Sequence, residues 1–321
     1  MGRKKQKAVA DNNQNVKDLL EEYIDEKSTL GLSKQTIESI RNSSKRFFEC
    51  FGDEITTDKI DEGLLITFTR MLRNKDIALA SINHYLRDLR TFVNWCYENG
   101  YIDEKIVVRM VKGQQLPKDT YTDEEILALL EKPKAKANYV EWRDWAIVNW
   151  IYGTGNRIGT LIDVRMSDID LKKANIVIRA QKNKTASSIP MDRKLVAVLR
   201  EYIKRDRPNA RGEDYLFTNI YGEPLTTKAV QQSMAKYNKN RGVNKTSCHA
   251  LRHTFAKNWI CNGGNVFQLQ HMLGHKSLQV TRSYVNLYGA DLKEGFDDVS
   301  PLSNIKKQKG GSRKGRLTVE D

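Results

Sequence analysis

The stretch LGHKSLQVTRSY, Leu273–Tyr284, contains a glycine that predicts the end of one helix and the start of the next. Gly274 suits the left-handed backbone that commonly terminates a helix. The polar residues after it can open a second helix, and that helix carries Tyr284. His275 stands nine residues before this tyrosine, in a chain with 54 lysines and arginines against 40 aspartates and glutamates.

The charge of the whole chain indicates its class of partner. A formal net charge of +14 over 321 residues favours a polyanion, and nucleic acid before a membrane surface. The basic residues 1–13 predict a flexible arm and not a secretory signal, and no apolar run reaches the roughly 18 residues that a membrane span needs. The four cysteines show no metal-ligand or disulfide spacing. We expect a cytoplasmic protein of about two domains, without a membrane partner.

The first part of the chain predicts a small all-helical domain over residues 14–112. Apolar residues recur at helical spacing in four segments. Ser33 can cap the second helix and Gly52 can end it, while Thr57 or Asp58 can cap the third. The polar faces of these helices are rich in lysine and arginine, which is usual for a solvated surface.

A change of pattern near Pro117 predicts a linker over residues 113–119. Thr122 and Glu125 have the spacing of a capping box, which marks the first helix of a second domain. This domain is predicted to cover residues 120–295. A C-terminal exchange segment and basic tail, 296–321, is predicted to follow it.

The second domain combines helices with a few short strands. NIVIRAQ (175–181) and SSIPM (187–191) predict a β-hairpin, and DYLFTN (214–219) predicts another short strand. The apolar segment DWAIVNWIYGTG (144–155) predicts a buried helix that ends at a glycine. The predicted fold class is therefore mainly α, with a small antiparallel sheet in the second domain.

Two arginines are candidates for holding an anion. Arg157 follows two glycines at a predicted helix start, where an arginine can present a two-pronged donor to phosphate oxygens; the ordinary alternative is a turn arginine paired with Asp163 or Asp168. His249 and Arg252 lie three residues apart on one predicted helix, so both project from the same face. A surface pair is the ordinary alternative for them.

Lysine and tyrosine side chains are candidates for proton transfer and bond formation. Lys182 and Lys184 lie in the predicted hairpin turn, where most lysines are simply solvated. A tyrosine hydroxyl has a pKa of about 10, so Tyr284 becomes a nucleophile only if arginines lower that pKa or a base takes the proton. Taken alone, Tyr284 is an ordinary core or surface aromatic.

The order of these residues along the chain is specific even though each signal is weak. Arginine, turn lysine, His-x-x-Arg, histidine and then tyrosine is similar to the pattern of the tyrosine recombinase, or phage integrase, family. YGTGNRIGTLIDVRMSDID (152–170) resembles its first conserved box, and HALRHTFA…LQHMLGHKSLQVTRSY (249–284) resembles its second. The resemblance covers roughly residues 120–295, and residues 14–112 resemble the family's core-binding domain in size and helix content.

The resemblance implies a role for each residue of the pattern. Tyr284 is expected to attack a DNA phosphodiester, form a 3′-phosphotyrosyl bond and release a 5′-hydroxyl. Arg157 and Arg252 are expected to hold the non-bridging oxygens and balance charge in the transition state. No metal or other cofactor is expected, because the exchange of one phosphodiester for another is nearly isoenergetic.

The remaining implied roles concern proton transfer. His249 is expected to handle the proton of Tyr284, and His275 to donate to a phosphate oxygen. Lys182 is expected to protonate the leaving 5′-oxygen, a choice that rests on counting back from SIPM. Lys184, two residues away on the same turn, remains the alternative. His253 and Tyr288 are also expected near the site, His253 as a structural hydrogen-bonding residue and Tyr288 as a packing residue, because the family spacing from His275 selects Tyr284.

The implied function is that of a site-specific DNA recombinase, the integrase of a phage or mobile element. The two domains are expected to clamp duplex DNA at its recombination sites, with a homo-tetramer as the working unit and an accessory directionality factor as a further partner. Thr160 stands where the family usually has an acidic residue, so the alternative is a DNA-binding regulator that kept the fold with weakened or lost chemistry. A type IB topoisomerase is a second alternative, and it would relax supercoils without a specific site.

Overall fold

The computed structural model describes residues 13–113, 119–179, 187–275 and 277–288. Contacts divide the chain into two compact units, residues 1–115 and 116–321. Several predictions lie outside the described residues: nearly all of the arm, most of the linker, both candidate lysines of the hairpin turn, and the C-terminal exchange segment with its tail.

The described residues of the first unit form four α-helices around one apolar core. They are α1 (Val16–Thr29), α2 (Lys34–Phe51), α3 (Glu62–Asn74) and α4 (Leu79–Glu98). Ser33 caps α2, and Gly52 follows its last residue with a φ of 81°, so both predictions are confirmed. The predicted cap of α3 was wrong. Thr57 and Asp58 belong to a separate 3₁₀ turn, and Asp61 caps α3 because its carboxylate accepts the backbone N–H of Leu64 at 2.6 Å.

The second unit is mixed, with helices surrounding a small sheet. Its elements are α5 (Asp123–Leu130), α6 (Tyr139–Thr154), α7 (Ile158–Leu161), β1 (Ile169–Asp170), β2 (Asn175–Ile178), β3 (Ser187–Pro190), α8 (Arg193–Asp206), α9 (Thr227–Asn240), α10 (Cys248–Cys261), α11 (Val266–Leu273) and α12 (Leu278–Tyr288). The capping box of Thr122 and Glu125 begins α5 as predicted. Helix α6 is buried on nearly every side, so it forms the centre of this unit.

The sheet is antiparallel with the strand order β1-β2-β3. Strands β2 and β3 form the predicted hairpin, with Val177 opposite Ser188. The strand predicted over 214–219 was wrong. Only isolated bridges form there, and Leu216 and Phe217 are both fully buried, whereas successive residues of a strand point to opposite faces. Strand β1 has two residues, too few to show a period in the sequence.

The last three helices place the residues of the second box. Gly274 adopts the predicted left-handed conformation directly after α11, with φ 59° and ψ 43°. Helix α12 begins four residues later and carries Tyr284 in its second turn. The mainly α fold class with a small antiparallel sheet is thus confirmed. Across the described ranges, no helix combines the length and apolar character needed to cross a bilayer.

Candidate active site

A sharp turn after α6 brings the first arginine to the site. Gly155 has a φ of 65°, and a Cβ atom on it would lie 2.4 Å from Cδ1 of Phe255 and 2.7 Å from Cδ2 of Leu273. Only glycine fits this position, because any side chain there would overlap both neighbours. The chain then leads directly to Arg157, which occupies the N-cap position of the single-turn helix α7.

The two predicted arginines meet at the C-terminal end of α11. The carbonyl oxygen of Leu273 accepts from Nη1 of Arg157 at 3.3 Å and from Nη2 of Arg252 at 2.9 Å. The last carbonyls of a helix lack partners within the helix and carry partial negative charge, so they attract cations. The structure therefore places two guanidinium groups side by side, although Arg157 and Leu273 are 116 residues apart in the chain.

Arg252 is a buried cation with neutral acceptors. It is 2% exposed, and burial together with the charge of Arg157 lowers its pKa to about 10, so it still carries its charge at neutral pH. Among the described residues, the acceptors on its guanidinium are the carbonyls of Gly155 and Leu273 and the imidazole of His275. A buried charge without a counter-ion is costly, so this arrangement favours the binding of an anion.

His275 lies between Arg252 and the helix that carries Tyr284. Its Nε2 is 2.8 Å from Nη2 of Arg252, and its Nδ1 is 2.9 Å from Oγ1 of Thr281. Its ring lies nearly parallel to that of Tyr284, at an angle of 10°, with 6.3 Å between centroids. The histidine of the opening stretch is thus in contact with an arginine and close to the tyrosine, as its place in the pattern suggested.

The hydroxyl of Tyr284 contacts a histidine, and that histidine is His253. The distance between Oη and Nδ1 of His253 is 2.6 Å. His249, the histidine of the His-x-x-Arg pair, packs edge-to-face on His253 with 4.4 Å between ring centroids. Tyr284 is only 2% exposed, so its hydroxyl is held inside the second unit. The role given to His249 stays a prediction, and His253 is a neighbour that the residue pattern did not select for chemistry.

The carboxylate of Asp168 accepts from residues other than Arg157. Asp168, considered above as an ordinary partner of Arg157, accepts instead from Nε of Arg179 at 2.6 Å and from the backbone N–H of Arg165 at 2.8 Å. Thr160 lies in α7 and lines a cavity of about 230 Å³ together with Asp168 and Arg179. Thr160 therefore faces a polar, charged region, which is compatible with the acidic residue usual at this position.

The sequence placed His253 near the site as a structural hydrogen-bonding residue, which agrees with its contact to Tyr284, whereas Thr281 was missed. His253 is four residues after His249, so helical spacing places the two histidines on one face of α10. Thr281 is three residues before Tyr284, on the face of α12 that is buried. Spacing alone could have identified both as neighbours, but not which atoms they contact. In the part of the chain that the structure describes, no group of three or more His, Cys, Asp or Glu side chains could hold a metal ion.

Comparison with known proteins places the chain in a family. The sequence profile of the phage integrase family matches residues 120–290, and that of the phage integrase SAM-like domain matches residues 15–112. The chain belongs to the phage integrase family, the tyrosine recombinases, and the resemblance seen in the sequence is confirmed.

Two relatives and one solved structure illustrate this membership. The tyrosine recombinase XerA of Pyrococcus furiosus is 29% identical, over 90% of this chain and 96% of its own. The tyrosine recombinase XerD of Staphylococcus haemolyticus is 26% identical, over 84% of this chain and 94% of its own. A lambda integrase tetramer bound to a Holliday junction shares the fold, with a TM-score of 0.69 and 18% identity over 88% of this chain and 80% of that one.

Proposed function

We propose that this protein is a site-specific DNA recombinase that cuts and rejoins DNA through a 3′-phosphotyrosyl intermediate. Tyr284 attacks the phosphorus, the bond to the 5′-oxygen breaks, and a 5′-hydroxyl leaves. Arg157 and Arg252 hold the non-bridging oxygens of the phosphate. Their fixed charges stabilise the transition state without reorganisation, which is commonly the largest contribution to catalysis.

One observation carries this proposal: a buried arginine with neutral acceptors lies beside a second arginine and close to a tyrosine. Arg252 and Arg157 share the carbonyl of Leu273, and burial together with the charge of Arg157 lowers the pKa of Arg252. A phosphodiester between them would supply the missing negative charge. The ring of His275 links this pair to Tyr284, so an anion bound there is near a nucleophile.

The proton-transfer roles extend this proposal. Lys182 protonates the leaving 5′-oxygen, and His275 donates to a phosphate oxygen. His249 handles the proton of Tyr284, with His253 as the residue that holds the hydroxyl before DNA is bound. The edge-to-face contact between the rings of His249 and His253 supports a joint role, because a change of charge on one ring alters the electrostatic environment of the other.

The partner is double-stranded DNA at recombination sites. The net charge of +14 supports binding that is dominated by phosphate contacts. We propose a homo-tetramer on two sites, as in the lambda integrase tetramer bound to a Holliday junction, in the cytoplasm and with an accessory directionality factor. We also propose the domain boundaries inferred from the sequence, and an origin of the protein in a phage or mobile element.

The decisive experiment replaces Tyr284 by phenylalanine, which removes the hydroxyl and keeps the ring. The DNA bound by this variant is sequenced to identify the site, and a nicked duplex with that site is then incubated with both proteins. We expect a covalent protein–DNA band from the native chain and none from Tyr284→Phe, with binding unchanged within about threefold because one uncharged hydroxyl adds little to a phosphate-dominated interface. A band of normal intensity from the variant would move the nucleophile to another residue, with Tyr288 as the first candidate.

The alternative of a DNA-binding regulator rests on Thr160. A threonine hydroxyl can keep one hydrogen bond but carries no charge, and lost support of this kind typically costs ten- to a hundredfold in activity. We therefore expect slow but measurable cleavage, and Thr160→Glu is expected to raise the rate or leave it unchanged. If Thr160→Glu forms covalent product while the native chain forms none on the same site, the regulator is the correct reading.

A further inference from the structure

Thr281 joins the His275–Arg252 pair to the helix of the nucleophile through a hydrogen bond. Its Oγ1 is 2.9 Å from Nδ1 of His275, and the other ring nitrogen of His275 is 2.8 Å from Nη2 of Arg252. Thr281 is completely buried. It precedes Tyr284 by three residues on α12, so the two side chains are neighbours on one face of that helix.

The chemistry of the two partners determines where the proton of His275 lies. A guanidinium group has only donors, so the nitrogen facing Arg252, Nε2, must offer a lone pair. The ring proton of the neutral imidazole is then on Nδ1, which donates to the hydroxyl of Thr281. In general, the hydrogen bond made by one ring nitrogen decides the protonation of the other.

Loss of the Thr281 hydroxyl would make both positions of the His275 ring proton less favourable. If its proton stayed on Nδ1, that N–H would lose the hydroxyl that accepts it, and the hydrogen bond that orients the ring would be gone. If the proton moved to Nε2, an N–H would point at the N–H of Arg252. Either way, the contact between His275 and Arg252 becomes weaker or turns away from the site.

The position of Thr281 also makes this contact depend on the docking of α12. Helix α12 packs against both α10 and α11, the helices that carry Arg252 and Leu273. When α12 is in place, Thr281 orients His275 and, one turn later, Tyr284 lies beside His253. If α12 moved away, the nucleophile and the acceptor for His275 would leave together.

We propose that Thr281 is a positioning residue for catalysis: its hydroxyl accepts from Nδ1 of His275, turns Nε2 towards the phosphate site, and couples this orientation to the docked position of the nucleophile's helix. When a phosphate oxygen replaces Arg252 as the partner of Nε2, the ring takes up a second proton from solvent on Nε2 and donates to that oxygen, while Nδ1–H stays on Thr281. The proposal rests on the function proposed above. It assigns to the threonine no contact with DNA and no proton transfer to the substrate.

Two variants separate the hydroxyl from the shape of the side chain. Thr281→Val keeps the branched shape and removes the hydroxyl, while Thr281→Ser keeps the hydroxyl and removes a methyl group. Single-turnover cleavage is measured on the site recovered with Tyr284→Phe. We expect Thr281→Val to be ten- to a hundredfold slower, the usual range for loss of an orienting partner, and Thr281→Ser to stay within about threefold of the native rate. DNA affinity is expected to change less than threefold in both.

A spectroscopic measurement tests the same contact without DNA. In protein labelled with ¹⁵N-histidine, the resonances of His275 are assigned by their loss in His275→Gln. We expect the native protein and Thr281→Ser to show a protonated Nδ1 and an unprotonated Nε2, and Thr281→Val to show an increased share of the other tautomer. This measurement does not require that the protein cleave DNA, so it remains informative if the proposed function fails.

The outcomes distinguish the two proposals. If native protein forms no covalent product on its site, the proposed function is wrong, whatever the tautomer. If native protein cleaves and Thr281→Val cleaves equally fast, or if Thr281→Ser is as slow as Thr281→Val, the role of the hydroxyl is refuted. Native His275 with its proton on Nε2 would refute it as well. Should Thr281→Val fail to fold, Thr281→Ala removes the same hydroxyl without adding volume.

Discussion

Gly155 offers a test of how the site is built, because its surroundings allow the cost of one methyl group to be worked out. In Gly155→Ala, the left-handed backbone costs about 1–2 kcal/mol for a residue with a Cβ. The new atom would also lie 2.4 Å from Phe255 and 2.7 Å from Leu273, and overpacking of this kind typically adds about 1–3 kcal/mol. We expect a total loss of about 2–5 kcal/mol in the free energy of unfolding of the second unit.

Gly263→Ala is the matched control. Gly263 has a similar φ of 73°, but nothing lies within 4 Å of the position its Cβ would take. This variant should show the backbone cost alone, about 1–2 kcal/mol. The difference between the two variants therefore isolates the close contacts beside the arginine pair.

Urea unfolding followed by tryptophan fluorescence measures both variants. Four of the five tryptophans, Trp142, Trp145, Trp150 and Trp259, lie in the second unit, so the signal reports mainly on it. With a slope of about 2 kcal/mol per molar urea, Gly155→Ala should unfold at a midpoint lower by roughly 1–2.5 M. Cleavage should fall as well, because Gly155 and Leu273 supply carbonyls to Arg252, while Gly263→Ala should keep its cleavage rate. Equal losses of stability in the two variants would refute the packing argument.

Three further predictions address catalysis and binding. His249→Ala is expected to slow single-turnover cleavage by a factor of about 10² to 10⁴, the usual contribution of a general acid or base. His253→Asn keeps a hydrogen-bonding group near Tyr284 and should slow cleavage about tenfold or less. A larger loss of rate in the His253 variant than in the His249 variant would assign the proton transfer to His253. Cleavage by Lys182→Ala should be far slower than cleavage by Lys184→Ala. A DNA substrate with sulfur at the 5′-bridging position should restore the rate of Lys182→Ala, because a thiolate leaves without taking up a proton. If this substrate rescues Lys184→Ala instead, Lys184 is the general acid. DNA affinity should fall steeply with salt, because each neutralised phosphate contributes close to one unit to the slope of log K against log salt concentration. Cleavage should persist in EDTA, and a requirement for Mg²⁺ would contradict the mechanism.

The sequence by itself determined the features that depend on neighbouring residues. Ser33, Gly52 and the pair of Thr122 and Glu125 mark helix ends by hydrogen bonds and backbone angles within a few residues, and all were confirmed. Gly274 was predicted on the same grounds. The order of the arginines, histidines and tyrosine sufficed to recognise the family, because the spacing within each box is fixed by the helices that carry it.

Local signals failed where a tertiary contact outweighed them. The segment 214–219 has the composition of a strand, yet burial of both Leu216 and Phe217 prevents the alternation that a strand requires. Asp58 and Asp61 can each cap a helix by their chemistry. Asp61 caps α3 because Asp58 belongs to a separate 3₁₀ turn before the helix.

The contacts within the site were decided by the tertiary structure alone. Arg157 meets Arg252 because both reach the carbonyl of Leu273, 116 and 21 residues away along the chain. The hydroxyl of Tyr284 contacts Nδ1 of His253, and His249 packs on His253, because of the way α12 docks on α10. Spacing along a helix specifies which residues share a face, but the atoms that touch across two elements depend on how those elements pack.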